Sequence, residues 1–138
     1  MNFKQAEGEI IGYFNTQING AVPISWPNVP FTLPADGSWV RFTMKNNDGR
    51  QVTMGSPGAN RYRRIGIVTI QVFRKIKASR PESTSKVLEL ADTVADIFIA
   101  NQLNGILFKN VNARDVGNDG NGWYQYNVTA EFQYDRIT

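Results

Sequence analysis

Apolar side chains near the start of the chain recur at intervals of three and four residues. Over residues 2–19 this spacing places them along one face of a helix. The apolar positions are Phe3, Ala6, Ile10, Ile11, Phe14 and Ile18. Asn2 has the side chain of a helix N-cap, and the pair Asn19-Gly20 is typical of a helix end. The pattern therefore predicts a first helix over residues 2–19.

Four prolines interrupt the next segment, residues 21–38. Each proline lacks a backbone N–H and biases the preceding residue toward extended geometry, so neither a helix nor a central strand fits. Trp26 and Phe31 lie among these prolines. We expect a loop that lies on the body of the domain and is pinned there by its aromatic side chains.

From residue 39 the apolar period changes to two, which is typical of a strand. Over residues 39–45 the apolar side is Val40, Phe42 and Met44, and the opposite side is Arg41, Thr43 and Lys45. The triplet Asn47-Asp48-Gly49 is a turn signal and predicts a short second strand over residues 50–54. Residues 64–75 are rich in β-branched side chains and predict a long central strand.

The loop GSPGAN, residues 55–60, has two interpretations. Its glycines suggest a phosphate cradle, but their spacing fits neither a dinucleotide fingerprint nor a P-loop, and no predicted helix follows. The tip of a long β-hairpin is the favoured interpretation.

The second half of the chain predicts one helix and two strands. Apolar positions predict a helix over residues 83–103, with Ser83 as a candidate N-cap and Asn104-Gly105 at its end. Its apolar stripe comprises Val87, Leu88, Ala91, Val94, Ala95, Phe98 and Ile99. Residues 106–116 predict a strand, and residues 123–134 alternate over twelve positions. We assign the even positions of that last strand to a buried face and the odd positions, from Trp123 on, to a polar face.

This order of elements indicates the α+β class. We expect a single mixed, mainly antiparallel β-sheet with two main helices packed on one side. The chain has 138 residues and no linker-like segment, so it is interpreted as one domain spanning residues 1–138.

Composition narrows the chemistry. The chain has neither His nor Cys, so it lacks the commonest zinc ligands, the usual general base and the usual thiol nucleophile. No nucleophile elbow, P-loop or DxD pair is present. We expect a protein that is not an enzyme and has no cofactor and no metal site. No apolar run reaches the roughly 18 residues of a membrane span, and no signal-peptide core is present, so no membrane partner is expected.

The net charge of the chain is small, but its basic residues are concentrated in one stretch. The net charge is +3, yet residues 49–81 contain no acid. The bases within this stretch are Arg50, Arg61, Arg63, Arg64, Arg74, Lys75, Lys77 and Arg80. Like charges repel one another, so such a stretch indicates an anionic partner or carboxylates from another chain.

The segment Arg61-Tyr62-Arg63-Arg64 has three interpretations. It is a solvated strand entry, a phosphate-contacting site for nucleic acid, or a protein interface, where Arg and Tyr are favoured. The candidate interface residues are Arg61, Tyr62, Arg63, Arg64, Glu89, Asp92 and Asp96. The candidate contacts with DNA are Arg50, Arg61, Lys75, Lys77 and Arg80.

The three acids of the second predicted helix share one face. Glu89, Asp92 and Asp96 are spaced by three and four residues. Without His they suit only a hard cation, and no glycine-bearing calcium loop surrounds them. A solvated face, or a carboxylate surface that meets a basic loop of a neighbouring subunit, is the favoured interpretation.

Short motifs in a fixed order give the chain a family resemblance. They are the aromatic first helix, Trp26-Pro27-Asn28, Phe31 and Pro34, Trp39-Val40-Arg41-Phe42, Met54-Gly55, Arg64-Ile65-Gly66, Gln71-Val72-Phe73, Ala91-Asp92, Trp123-Tyr124-Gln125 and Phe132-Gln133-Tyr134-Asp135. In this order they resemble the tail-terminator-like proteins of tailed bacteriophages, which include the minor tail proteins that cap lambda-type tails. The chain departs from that family at residues 75–83, where Lys75, Lys77 and Arg80 replace an often glycine-rich link.

The resemblance implies a structural virion protein with an α+β fold. Such proteins form a homo-oligomeric ring, commonly a hexamer, at the head-proximal end of the tail tube. The ring stops tube polymerisation and offers the surface to which the head–tail connector protein docks. Its implied partners are therefore its own copies, the tail tube protein and the connector, with viral DNA passing through the lumen. The implied localisation is the virion tail, after synthesis in the host bacterial cytoplasm.

A ring gives the charge distribution a role. We hypothesise that Arg61–Arg64 of one subunit face Glu89, Asp92 and Asp96 of the next. Three alternatives stay open: another head–tail joining or completion ring protein, a nonspecific nucleic-acid-binding module that uses the basic region 50–80, and an unrecognised small enzyme.

Overall fold

The computed structural model describes residues 2–51, 53–55, 58–76, 83–118 and 120–137. Its elements in chain order are α1 (Phe3–Ile18), β1 (Ile24–Ser25), β2 (Ser38–Gln51), β3 (Arg61–Lys75), α2 (Ser83–Ala100), β4 (Ile106–Asn118) and β5 (Trp123–Ile137). The strands form one sheet in the order β1-β2-β3-β5-β4. Only the β1–β2 pair is parallel among the strand pairs described. The predicted α+β fold with a mixed, mainly antiparallel sheet is confirmed.

Both ends of helix α1 follow the sequence. The side chain of Asn2 accepts a hydrogen bond from the Gln5 backbone N–H, and the Gln5 side chain accepts one from the Asn2 N–H. This reciprocal capping box satisfies two backbone donors that the helix leaves unpaired. At the other end Asn19 and Gly20 adopt φ values of 51° and 71°, which closes the helix in left-handed geometry.

The predicted turn at residues 47–49 is wrong. Strand β2 runs on to Gln51, and Gly49 pairs with Arg64 of β3. The register shifts between Asn46 and Asp48, so one extra residue is absorbed as a bulge within the strand. Gly and Asn at such a position serve a bulge as well as a turn. The predicted strand over residues 50–54 is therefore the end of β2, and the β2–β3 connection lies beyond Gln51.

The core lies between the two helices and one face of the sheet. Helix α1 contributes Ile10 and Phe14, and α2 contributes Val94 and Phe98. The sheet contributes alternate residues of its strands, namely Val40, Phe42, Val68, Ile70, Val72, Val128, Ala130, Phe132 and Tyr134. Phe14 and Phe98 stack at 5.9 Å between ring centroids, which joins the helices. The prediction of two helices on one side is confirmed, and the opposite face of the sheet, the open face, is not covered by either helix.

Helix α2 ends earlier than predicted. It stops at Ala100, and Asn101 takes a left-handed φ of 55°. The Asn101 side chain donates to the backbone oxygen of Phe108 and accepts from its N–H, which fixes the start of β4. Two residues of the predicted stripe, Leu88 and Ile99, are exposed, and Ile97 is buried instead. The predicted cap at Ser83 depends on residues outside the described part of the chain.

The alternation predicted that the odd positions of β5 form a polar face along the whole strand. This prediction is wrong at Trp123. Trp123 is buried with Trp39 and Phe73 in a second, smaller apolar cluster on the open face. Trp39 stacks on Phe73 at 4.2 Å, and Phe31 of the proline-rich loop stacks on Trp39 at 5.2 Å. The loop is thus pinned by its aromatic side chains, as expected.

Candidate interaction surfaces

The pleat of β3 divides the arginine segment between the two faces of the sheet. Arg63 lies directly opposite Asp135 of β5, and both lie on the open face. Arg64 lies opposite Tyr134, a core residue on the helix-covered face. Four neighbouring residues of the sequence therefore do not form one charged patch.

Asp135 binds two of the arginines. Nε of Arg63 donates to Oδ1 of Asp135 at 3.0 Å, and Nη2 donates to Oδ2 at 3.4 Å. Nη1 of Arg61 lies 3.5 Å from the same Oδ2 atom. The hydrogen bond to Asp135, reinforced by its charge, raises the pKa of Arg63 above the ordinary value of arginine. This fork-like pair is an intrachain partner that the acid-free stretch of sequence did not predict.

Arg64 and Tyr62 have contacts of their own. The guanidinium carbon of Arg64 lies 3.8 Å from the ring centroid of Phe3, at the start of α1. This is a cation–π contact in which the arginine also covers the ring. The Tyr62 hydroxyl donates to Oε1 of Gln51 at 3.1 Å. Both side chains therefore stabilise the base of the β2–β3 hairpin within one chain.

The candidate DNA contacts do not form a single site. Arg50 pairs across β2 and β3 with Arg63, and Arg61 lies at the same end of the sheet. Lys75 lies at the other end of β3, about 40 Å along the strand from Arg63. Its Nζ atom is 5.0 Å from the ring centroid of Trp123. Lys77 and Arg80 lie outside the described residues.

Basic residues lie on β2 and on β4, at the two sides of the open face. The sequence did not predict that these residues share one surface. One row across four strands reads Arg41, Gln71, Asn127, Arg114, and the next row but one on the same face reads Lys45, Ile67, Glu131, Lys109. The four bases at the ends of these rows are exposed. The alternation over residues 39–45 predicted that Arg41 and Lys45 share the face opposite the apolar residues. The pairing of β5 with β4, which adds Lys109 and Arg114, requires the tertiary fold.

The acidic flank of α2 is exposed as predicted. Glu89, Asp92 and Asp96 all lie on the surface, and Glu89 is 3.5 Å from Nζ of Lys86. Leu88 and Ile99, exposed to 41% and 62%, lie on the same helix. Carboxylates next to exposed apolar side chains are suited to a protein contact.

A groove of about 600 Å³ lies between α1, the proline-rich loop and β2. Its apolar lining comprises Ile11, Trp26, Pro27, Val29, Phe42 and Met44. Asn28 takes a left-handed φ of 59°, and the Val29 N–H donates to the Trp26 oxygen at 3.3 Å. This turn makes the Trp26-Pro27-Asn28 motif one wall of the groove.

Across the described ranges of the chain, no group of three or more carboxylates is placed to hold a metal ion. None of the described helices is long and apolar enough to cross a membrane.

Comparisons with known proteins identify the family. No curated protein matches the chain. One solved structure aligns with a TM-score of 0.63 at 16% identity, over 96% of this chain and 97% of the other. A chain from the virion of a native gene transfer agent particle aligns with a TM-score of 0.53 at 15% identity, over 89% and 84%. At such identities these likenesses support the fold. A family model described as phage tail terminator protein matches residues 10–132, and the chain therefore belongs to the phage tail terminator family.

Proposed function

We propose that this protein is a tail terminator that forms a ring at the head-proximal end of a phage tail tube. The ring stops tube polymerisation and provides the surface to which the head joins. The observation that carries the proposal is the family match over residues 10–132. Membership of this family supports a structural role in a phage tail, in the virion, rather than an enzymatic one.

The charge distribution supports association between copies. The hairpin end of the sheet carries Arg50 and Arg61, whereas the exposed flank of α2 carries Asp92 and Asp96. These surfaces differ, so a contact between them is heterologous, and repetition of such a contact closes a ring when the rotation permits. We expect six copies in that ring, as the sequence resemblance implies.

The predicted pairing of Arg61–Arg64 with Glu89, Asp92 and Asp96 of the next subunit stays a prediction. Asp135 of the same chain already binds Arg63, and Arg64 lies over Phe3. The bases best placed to reach a neighbour are therefore Arg50 and Arg61, whose side chains are exposed; Arg61 keeps its 3.5 Å contact with Asp135 at the same time. Exposed pairs contribute about 0–1 kcal/mol each, so they would set the register of a ring more than its strength.

Native mass measurement combined with negative-stain images tests the ring. We expect a species of six chain masses with a six-fold annular image, favoured by high protein concentration and by low salt. The variant Arg50→Glu/Arg61→Glu should shift the protein toward monomer, and Asp92→Arg/Asp96→Arg in the same chain should partly restore the ring. A protein that stays monomeric both alone and with tail tubes would contradict the proposal.

The proposed partners are the tail tube protein on one side of the ring and the head–tail connector on the other. The proposed site of action is the head-proximal end of the tail, after synthesis in the host cytoplasm. A head completion protein would also form a ring but would not stop a growing tube. Addition of the protein to polymerising tube protein therefore separates these two functions.

Nucleic-acid binding is a second candidate function, which the basic rows of the open face favour. Arg41, Lys45, Lys109 and Arg114 flank a surface that carries amides, threonines, Ile67 and the carboxylate of Glu131. The four bases and the neutral polar side chains suit phosphate binding. In a ring this surface could face passing DNA. Measurement of duplex DNA binding against salt tests it. Neutralisation of the four bases should lower the salt slope by about one unit for each phosphate that the protein no longer neutralises. Undetectable binding at low salt would exclude this function.

A further inference from the structure

We propose that the tip of the β2–β3 hairpin of one copy docks its Met54 side chain into the apolar groove beside α1 of another copy. This inference rests on the proposed ring function and names the contact that would build the ring. The tip, here residues 53–55, follows the end of β2, whereas the groove lies beside Phe42 and Met44 in the middle of that strand. The contacts within one chain give no role to the hairpin tip or to the groove.

Met54 is presented to solvent on an ordered base. Its side chain is 96% exposed, more than any other large apolar residue described. The Arg61 backbone N–H donates to Oγ1 of Thr53 at 2.7 Å, and Nε2 of Gln51 donates to the Thr53 oxygen at 2.7 Å. These bonds join both strands to the residue before Met54. The thioether side chain therefore follows a residue that is hydrogen-bonded to both strands, and methionine adapts well to an irregular apolar surface.

The groove has the properties of an acceptor for such a side chain. Its volume of about 600 Å³ is ample for one methionine side chain. Its walls include the half-buried side chains of Ile11, Trp26 and Met44. Release of water from these walls favours the docking of an apolar group.

An open strand edge runs along the groove. Strand β1 pairs with β2 only at Val40 and Arg41. From residue 42 to residue 46 no described strand pairs with the outer side of β2. An extended segment that enters the groove can therefore add backbone hydrogen bonds to this edge, which is a common mode of peptide recognition. The other edge strand, β4, is interrupted by two register shifts and carries Lys109 and Arg114, features that discourage pairing.

Charge favours a second copy as the occupant. Among the described residues the groove is lined by Glu7 and by no base, whereas the hairpin carries Arg50 and Arg61 near its tip. In this arrangement Glu7 is an acid that meets the basic hairpin. The contact is therefore complementary in polarity and charge.

The tip cannot reach the groove of its own chain. Met44 lines the groove, and Gln51 lies seven positions further along β2, about 23 Å of strand. The hairpin leads away from the groove, so a hairpin tip that docks there comes from another copy. Because tip and groove are different patches, each docked copy still offers one free tip and one free groove, and the contact propagates head to tail.

Cysteine cross-linking tests the contact, since the chain has no cysteine of its own. Gly12 lines the groove, and a side chain added there meets no atom within 4 Å. A mixture of the Met54→Cys and Gly12→Cys proteins should form a covalent heterodimer on mild oxidation. The matched mixture of Met54→Cys with Asn112→Cys, on the opposite edge strand, should form several-fold less. Equal yields from the two mixtures, at the highest concentration that stays soluble, would overturn the proposal.

A second pair of variants blocks the groove without touching the core. Gly12→Leu should reduce oligomer formation strongly, whereas Gly8→Leu should not. Gly8 lies on the same helix, has the same open space and does not line the groove. Equal oligomer formation by the two variants would also overturn the proposal. Rings that form without selective cross-linking would contradict the docking but keep the ring. Selective cross-linking into open chains would keep the docking and contradict the ring.

Discussion

The Nε atom of Arg63 on β3 lies 3.0 Å from Oδ1 of Asp135 on β5. The two residues are directly opposite in the antiparallel register and share the open face of the sheet. A carboxylate 72 positions away in sequence thus neutralises part of the basic stretch, and it leaves Arg50 and Arg61 as the bases near the hairpin tip that are most exposed.

We expect Asp135→Asn to release Arg63 without unfolding the protein. The pair is partly exposed, with 32% of the Arg63 side chain and 26% of the Asp135 side chain accessible, so its loss should cost little stability. The Nε–H proton of Arg63 should exchange with solvent faster in the variant, as measured by NMR. Asp92→Asn, a charge change of the same size on α2, should leave that exchange rate unchanged. Equal exchange rates in the wild type and Asp135→Asn would contradict the pairing.

We expect Gly66→Ala to be among the most destabilising small substitutions in the sheet. An added Cβ atom would lie 2.3 Å from the Lys45 backbone oxygen and 2.4 Å from Cζ of Phe132. Overpacking against a backbone atom costs about 3 kcal/mol, to be measured by urea unfolding.

Gly12→Ala is the matched control for that substitution. Its helical position leaves open space around the new methyl group, so it should stabilise the protein by about 0.5–1 kcal/mol. Equal changes in the free energy of unfolding for the two alanine substitutions would contradict the close approach of Lys45 and Phe132 to Gly66.

We expect Trp39→Ala to cost about 3–5 kcal/mol, although Trp39 lies on the open face. Trp39 is 3% exposed and contacts the rings of Phe73, Trp123 and Phe31. Thr43→Ala, on the same face of β2 but exposed, should change the free energy of unfolding by less than about 0.5 kcal/mol. A similar small loss for Trp39→Ala would show that the second apolar cluster adds nothing to stability.

We expect the hydrogen bond from Tyr124 to Asp115 to weaken in alkaline solution. The Tyr124 hydroxyl donates to Oδ2 of Asp115 at 2.8 Å, and this bond raises the pKa of Tyr124. The folded state therefore holds its phenolic proton more tightly than the unfolded state. The resulting stabilisation is complete below the unfolded pKa of about 10 and is lost as pH rises through the folded pKa.

The Tyr124→Phe variant measures this contribution. It should lower the free energy of unfolding by about 0.5 kcal/mol near pH 8, because the bond is exposed to solvent, and by less above about pH 11. Tyr126→Phe on the same strand should show no such difference between the two conditions, since its hydroxyl makes no hydrogen bond with the described residues. A pH-independent effect of Tyr124→Phe would contradict the assigned cause.

Local patterns predicted the helices and most strands, because the apolar spacing that identifies such an element involves only neighbouring residues. The capping box at Asn2 and the left-handed Asn19 follow from neighbouring residues alone. The bulge at residues 46–48 could not be distinguished from a turn, since Asn, Asp and Gly suit both. Which it becomes depends on β3, which pairs with β2 on both sides of the bulge.

The candidate surfaces were less accessible to sequence reasoning. Charge along the chain located the basic hairpin and the acidic flank of α2, and both are exposed where the structure describes them. The partner of Arg63, the rows of bases across the open face and the groove beside Trp26 each require strands or helices distant in sequence to meet. Periodicity gives the face of a residue but not the neighbour on the next strand.

The length of tail tubes polymerised in the presence of the protein tests the central claim most directly. Tube protein and tail-tip template would be mixed with wild-type protein, and tube lengths measured by electron microscopy. The account predicts a narrow distribution at one length, with a ring at the end of the tube distal to the tip. Tubes that grow as long with the protein as without it, and with no ring at that end, would contradict it.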